Sequence, residues 1–292
     1  MRQPLSLLLL PTFGLLACAG STVPFEILEH DGIDREYYLY APENLDSAQA
    51  APLLFNFHGN GQTAGSHVDW SDFRPLADEH GFLVVYPQGV ELEGDTHWNS
   101  ALPGNGNKSS TDDFGFVLSL IDALSETYNV DSDRIYATGY SNGGFMSYSL
   151  ACYHSDRFAA ISAVSSTMLN QFDGDCAPTR PISVLSANGT ADFAVPYDGG
   201  MLGYQSIPDV LNYWVTQNNI VDEPEVTDVT GSIQRTLYSN GDQGVSVDHY
   251  RVEGGSHVWF EQDFGGNMLT ELVWEFFASY GLNGAMDSMN EQ

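Results

Sequence analysis

The chain has 292 residues, of which 42% are hydrophobic and 12% aromatic, enough to bury a large core and to exclude disorder as the main state. Its charge is lopsided, 39 acidic residues against 9 basic for a formal −30, which leaves no phosphate-neutralising footprint and excludes nucleic acid as a partner. Lys108 is the sole lysine, and 3 cysteines are too few for a disulfide scaffold.

The N-terminus reads as an export signal. Met1-Arg2 gives a short positive start, and Pro4 to Ala17 is an apolar stretch interrupted by Pro11 and Gly14. It is too short to cross about 30 Å of hydrocarbon as a helix, and no later run is long enough to be a transmembrane segment. Leu15-Leu16-Ala17-Cys18 resembles a bacterial lipobox, while Ala17-Cys18-Ala19 also fits an ordinary secretory cleavage site. Cys152 and Cys176 can pair with each other in an oxidising compartment, which leaves Cys18 odd and favours its lipidation. The expected organisation is a signal peptide over 1–17, a tether over 18–29, one catalytic domain over 30–281 and a polar tail over 282–292. The protein is then secreted or lipid-anchored, with lipidated Cys18 as its only membrane attachment.

Arg35–Tyr40 is a short aromatic strand, and Pro52–Phe57 is a continuous apolar run of the kind buried on both faces of a sheet. A helix follows over Asp72–His80, then the buried strand Phe82–Tyr86. Residues 87–110, rich in Gly, Asn, Ser and Pro, read as a long functional loop. Thr111 is expected to cap a helix with Asp112 and Asp113 in its first turn and Phe116, Leu120 and Leu124 on its apolar face. Arg134–Thr138 is a strand and Phe145–Cys152 a helix. Phe158–Val164 and Ile182–Ala187 are strands, Met201–Gln217 is helical, Gln234–Tyr238 and Val245–Val252 are strands, and Asn267–Tyr280 closes as a helix. Strands alternating with helices predict an α/β fold with a mostly parallel central sheet covered on both faces.

Gly139-Tyr140-Ser141-Asn142-Gly143 is a G-x-S-x-G pentapeptide between a strand and a helix, the setting of a nucleophile elbow. The tight turn leaves no room for Cβ atoms two positions either side of the serine, and the helix N-terminus directs N–H groups at developing negative charge. A serine is a poor nucleophile without a base. In the chain order serine, acid, histidine, His257 in Gly254-Gly255-Ser256-His257 is the base, ahead of His154 and His249. Asp192, in the loop after Ile182–Ala187, is the acid that orients it, with Asp198 the runner-up and Asp173 and Asp175 weaker. Backbone N–H groups of Asn142 and Asn60 are the expected oxyanion donors, while His58 reads as a buried structural histidine. Trp98 and Trp259 are candidate walls of a substrate subsite. No H-E-x-x-H or paired histidine spacing points to a metal, no Gly-rich segment has the context of a nucleotide loop, and no cofactor is expected.

Phe57-His58-Gly59-Asn60-Gly61-Gln62, Ala77 to Gly89, His97-Trp98-Asn99, Asp112-Asp113, Gly139–Gly144, Asn188–Tyr197 and Gly254–Trp259 together resemble the extracellular polyhydroxybutyrate depolymerase and feruloyl esterase group, often placed with carbohydrate esterase family one. The likeness runs over roughly residues 30–280 in the same motif order. It implies an α/β-hydrolase fold, an acyl-enzyme mechanism, a triad carried here by Ser141, Asp192 and His257, and support for the Cys152–Cys176 disulfide. Asn188 stands where the group often has histidine, and the histidine segment is Gly-Gly-Ser-His rather than Gly-Gly-Gly-His. The expected activity is that of an exported serine carboxylic-ester hydrolase on hydroxyalkanoate-type esters or oligomers. Feruloyl or acetyl esters on plant polysaccharide are the alternative substrate, and an inactive α/β-hydrolase scaffold that only binds is the alternative of another class. The acidic surface suits a saline habitat and disfavours anionic substrates.

Overall fold

The computed structural model describes residues 25–102, 107–169, 175–200 and 203–286. The predicted signal peptide, the lipidation candidate Cys18 and the weaker acid candidate Asp173 lie outside these residues. In chain order the elements begin with β1 (Phe25–His30), β2 (Ile33–Tyr40), β3 (Ala51–Phe57), α1 (Ala64–Trp70), α2 (Arg74–His80) and β4 (Leu83–Pro87). A small hairpin of β5 (Val90–Leu92) and β6 (Asp95–His97) precedes α3 (Asp113–Thr127), β7 (Val130–Gly139), α4 (Asn142–Tyr153), β8 (Ala160–Val164) and β9 (Ser183–Gly189). The chain continues through α5 (Ile207–Gln217), β10 (Glu225–Thr230), β11 (Ile233–Tyr238), β12 (Val247–Val252) and α6 (Leu269–Ala278) to a short β13 (Tyr280–Gly281) and β14 (Gly284–Ala285).

One 10-stranded sheet carries the order β1-β2-β4-β3-β7-β8-β9-β12-β11-β10. The run from β4 to β12 is parallel throughout, and an antiparallel pair extends it at each edge. Strands β3, β4, β8 and β9 are buried along their whole length, as expected of mostly apolar or small residues in the middle of a parallel sheet. Alternation sends Leu53, Phe55 and Phe57 to one face and Leu54 to the other. On the first face they meet Phe116, Leu120 and Leu124 of α3, Met146 and Leu150 of α4 and Trp214 of α5. On the second lie Ala64 and Val68 of α1, Ala77 of α2, and Val273, Trp274 and Phe277 of α6. Because all central strands point the same way, their C-terminal ends form one rim, and loops leaving that rim can converge.

The cap of α3 differs from expectation. Asp112, not Thr111, is the N-cap, its carboxylate accepting the N–H of Gly115 at 2.9 Å. Asp113 turns inward, where its carboxylate lies 2.7 Å from the Arg35 guanidinium and accepts the Asn99 N–H at 2.7 Å. Burial raises the Asp113 pKa, and Arg35 pulls against that rise. The segment expected as tether becomes strand β1 from Phe25 onward, because it pairs residue by residue with β2. The expected tail folds back as far as Met286, whose N–H donates to the Ser279 carbonyl after the β13–β14 turn. The sequence signals also missed α1, the β5–β6 hairpin and β10.

Cys152 and Cys176 form a disulfide, Cα–Cα 4.6 Å, between the end of α4 and the segment before β9. Closing a loop of this size stabilises by about 3 kcal/mol. No helix among the described residues is long and apolar enough to cross a membrane.

Candidate active site

The elbow forms where β7 runs into α4. Tyr140 still pairs with its neighbours, its N–H donating to the Phe57 carbonyl at 3.1 Å. Ser141 then adopts φ 52°, ψ −116°, with its N–H held by the Val164 carbonyl at 2.9 Å. A non-glycine residue in this region is strained, and the bonds from both flanking strands hold it there. A Cβ on Gly143 would stand 2.1 Å from the Phe57 carbonyl oxygen, so the helix can approach β3 this closely only with glycine.

Asp192 sits in the loop after β9. Its Oδ1 accepts the N–H groups of Ala194 (2.9 Å) and Val195 (2.8 Å), which fixes the carboxylate and leaves Oδ2 facing His257 Nδ1 at 2.7 Å. His257 Nε2 lies 2.9 Å from Ser141 Oγ. An ionised carboxylate only accepts, so Nδ1 carries the proton and Nε2 is left to accept from the serine hydroxyl. The Asp192 side chain is 1% exposed and that of His257 14%, so the carboxylate is sealed while the imidazole reaches the surface.

The two loops that carry acid and base are laced together. Ala191 N–H donates to the Gly255 carbonyl at 2.9 Å, and Gly254 N–H to Thr190 Oγ1 at 2.8 Å. A Cβ on Gly189 would lie 2.1 Å from the Gly255 oxygen, which is why that strand end is glycine. The histidine segment is also tied to the elbow: Tyr140 OH donates to the His257 carbonyl at 2.9 Å, and Ser165 Oγ to the Val258 carbonyl at 2.7 Å. Neither Tyr140 nor Ser165 carries a sequence signal for this role beyond standing next to the elbow or at a strand end.

The loop after β3 packs against the elbow, Gly59 on the ring of Tyr140 and the His58 carbonyl beside Gly143. Gly59 N–H is taken by the Gln62 side chain at 2.9 Å and Gly61 N–H by the Thr96 carbonyl at 2.8 Å. Among the described residues the N–H groups of Asn60 and Asn142 make no such bond, which leaves them open to a substrate oxygen. His58 is fully buried, donating from Nδ1 to the Gly59 carbonyl (2.8 Å) and accepting the Gly89 N–H at Nε2 (2.9 Å). Burial lowers its pKa to about 4 and holds it neutral.

The tryptophans expected as subsite walls are placed otherwise. Trp98 is 2% exposed, because its ring packs edge-on against Phe57 and its indole N–H donates to the His58 carbonyl at 3.0 Å. Its main chain clamps the Asn142 side chain, the Trp98 N–H donating to Oδ1 at 2.7 Å and Nδ2 donating to its carbonyl at 3.1 Å. Trp98 therefore braces both loops that carry the open N–H groups. Trp259 is 3% exposed and packs against His67 and Phe73 in the core under α1. The large apolar side chain that does stand out at this rim is Phe193, 78% exposed and adjacent to Asp192.

Of the other candidates, Asp198 is exposed and makes no contact with His257. His154 caps the end of α4, half-buried against Phe114. His249 lies within β12, buried between Ser186 and Tyr197. His30, Asp31 and Asp112 bring ligand-type atoms within 4.8 Å of one another, away from the elbow, but Asp112 already caps α3 and His30 Nδ1 faces Ser119 Oγ at 3.1 Å.

A model of the prolyl oligopeptidase family matches residues 67–177, a stretch that contains the elbow but neither Asp192 nor His257. A bifunctional acetylxylan esterase/xylanase of Neocallimastix patriciarum is 27% identical over 262 residues, covering 88% of this chain and 35% of that protein. A probable feruloyl esterase C of Aspergillus terreus is 28% identical over 251 residues, covering 83% of each chain. The chain thus spans about a third of the length of the first relative and most of the second. An acetyl xylan esterase structure from Aspergillus awamori superposes with a TM-score of 0.66 at 16% identity, over 87% of this chain and 99% of that one. The fold is that of the α/β-hydrolases, and the relatives are esterases.

Proposed function

We propose that this α/β-hydrolase is a serine carboxylic-ester hydrolase acting through an acyl-enzyme, with feruloyl or acetyl esters on plant polysaccharide as its substrate class. The observation that carries it is the unbroken bond sequence from Asp192 Oδ2 through His257 to Ser141 Oγ, at 2.7 and 2.9 Å, above a strained elbow. Ser141 attacks the ester carbonyl as His257 Nε2 takes its proton, and Asp192 stabilises the imidazolium that forms. The open N–H groups of Asn142 and Asn60 receive the developing oxyanion, each lowering the barrier by about 3 kcal/mol. His257 then protonates the departing alcohol, and as base again it activates the water that releases the acid. The exposed edge of His257 suits an ester carried on a larger body, and the likeness to an acetylxylan esterase and a probable feruloyl esterase favours the polysaccharide class over hydroxyalkanoates.

We also propose export by the segment 1–17, in keeping with a disulfide between Cys152 and Cys176. Purified protein should release acetate from acetylated xylooligosaccharides or ferulate from methyl ferulate, and should react with a fluorophosphonate at Ser141. Failure of both hydrolysis and labelling would leave the scaffold as a binding protein.

A further inference from the structure

In a chain with 39 acidic and 9 basic residues, cations are scarce and almost all are engaged. Among the described residues every arginine but Arg180 faces a carboxylate. Arg180 is turned into main-chain carbonyls, including those of Ser155 and Pro181. Lys108 likewise has no carboxylate among the described residues within ion-pair distance, but unlike Arg180 it is exposed; its ammonium donates to the side-chain oxygen of Asn60. Asp95 approaches the same loop, 3.5 Å from where a Cβ on Gly61 would stand, yet forms no ion pair with it. The loop's position is fixed by β3–β7 pairing, Phe57 opposite Gly139, with Gly59 packed on the ring of Tyr140, the residue before Ser141. The only lysine in the chain is therefore bonded to Asn60, the residue whose N–H is the proposed oxyanion donor and whose neighbour Gly59 packs on the elbow.

We propose that Lys108 is a recognition site for a carboxylate carried by the substrate close to its scissile ester. The inference rests on the esterase reading and narrows its substrate class. An ammonium has three donors, and among the described residues only Asn60 takes one, which leaves two for an incoming carboxylate. The overall negative field acts against such a substrate at long range, but salt screens that field over about 10 Å or less while a contact pair persists. Two sources supply this chemistry: a uronic acid branch on an acetylated xylan, or the free end of a hydroxyacid oligomer.

The test compares two pairs of substrates. One is an acetylated xylooligosaccharide with and without a glucuronic acid branch, and the other is the 3-hydroxybutyrate dimer and its terminal carboxamide. At low salt the charged member of at least one pair should be favoured in kcat/KM by about fivefold, the scale of an exposed ion pair. The pair that shows the preference identifies the source. In Lys108→Gln the charged-over-neutral ratio should fall to about one, and Lys108→Glu should invert it. No preference in either pair, or a ratio that Lys108→Gln leaves intact, overturns the proposal. Fluorophosphonate labelling of Ser141 separates the two failures. A labelled protein that cleaves both members equally sinks only the role of Lys108, whereas an unlabelled one that cleaves none sinks the esterase reading with it.

Discussion

Two histidines near the end of the chain each touch a serine, and only one of the two contacts has the makings of a nucleophile. His249, inside β12, has Ser186 Oγ at 2.9 Å from Nδ1 and the Tyr197 hydroxyl at 2.9 Å from Nε2. His257, in the loop beyond β12, has Asp192 and Ser141 at comparable distances. The difference lies in what surrounds each pair. His249 is 2% exposed, both its partners are neutral hydroxyls, and burial lowers its pKa to about 3. Ser186 sits in the straight, fully buried run of β9, where nothing aims its oxygen at solvent. His257 has an acceptor-only carboxylate behind it and a serine lifted above the sheet by a positive φ in front. A serine–histidine contact is thus common polar satisfaction; the rim, the carboxylate and the elbow together make it chemistry.

The sharpest way to break this contrast is to remove each serine in turn. Ser141→Ala should lower kcat by about three orders of magnitude or more while the protein stays folded. Ser186→Ala should leave kcat within a few-fold and instead cost about 1–2 kcal/mol in a urea titration, because His249 loses a buried partner. Half the wild-type esterase rate in Ser141→Ala would end the mechanism, and a collapse of kcat in a folded Ser186→Ala would end the distinction between the two sites.

A smaller effect is expected one shell out. Asn142→Ala removes both bonds to the Trp98 main chain and frees the residue whose N–H is the proposed oxyanion donor. The expected loss is about tenfold in kcat with little change in KM, since the donor acts mainly in the transition state. A rise in KM at unchanged kcat would show that the clamp serves ground-state binding instead.

This clamp also marks the limit of what the sequence reveals. The apolar runs at 52–57 and 82–86 are legible because burial on both faces leaves them few polar positions, Asn56 being the exception in the first, and Phe116, Leu120 and Leu124 are legible because one helix face is enough to align them. Ser141, Asp192 and His257 are legible from their order and from the elbow's glycines, though their convergence needs the whole parallel sheet. Trp98 is not: an indole in a polar loop looks like a substrate wall, and its actual partners, His58 and Asn142, lie 40 and 44 residues away. Strand β10 is missed because its mostly exposed residues show no buried face, and Asp113 because its partner Arg35 is 78 residues distant.

Acid should separate the two histidines further. His249 stays neutral in the folded protein down to about pH 3, whereas in the unfolded chain it takes up a proton near pH 6.5. The unfolded state therefore binds more protons between these values, so its contribution to stability is complete above about pH 6.5 and is lost as pH falls toward 3. His58, lowered to about 4, and His67, lowered to about 3, act in the same direction. Each contributes a slope of at most about 1.4 kcal/mol per pH unit in that window. Urea midpoints of His249→Gln between pH 6.5 and 4 should depend less steeply on pH than those of wild type, while the pH–rate profile of ester hydrolysis keeps its shape. A pH–rate profile that moved with residue 249 would couple the two sites.

Salt gives the smallest effect and divides the molecule by depth. Self-repulsion of a chain at −30 is screened by added NaCl, so the melting temperature should rise by a few degrees toward molar salt. Buried pairs such as Arg35–Asp113, with side chains 2% and 0% exposed, are shielded from ions and should contribute equally at low and high salt. The bonds among Asp192, His257 and Ser141 are set by geometry around a sealed carboxylate, so kcat on a neutral ester should stay flat over the same range. A melting temperature that did not rise would mean that the acidic groups are too far apart to repel one another appreciably, and the surface would then hold no reserve of strain for salt to relieve. A kcat that followed the melting temperature upward would mean instead that the rim loops loosen at low salt, placing the order of the site itself under the control of the surface charge.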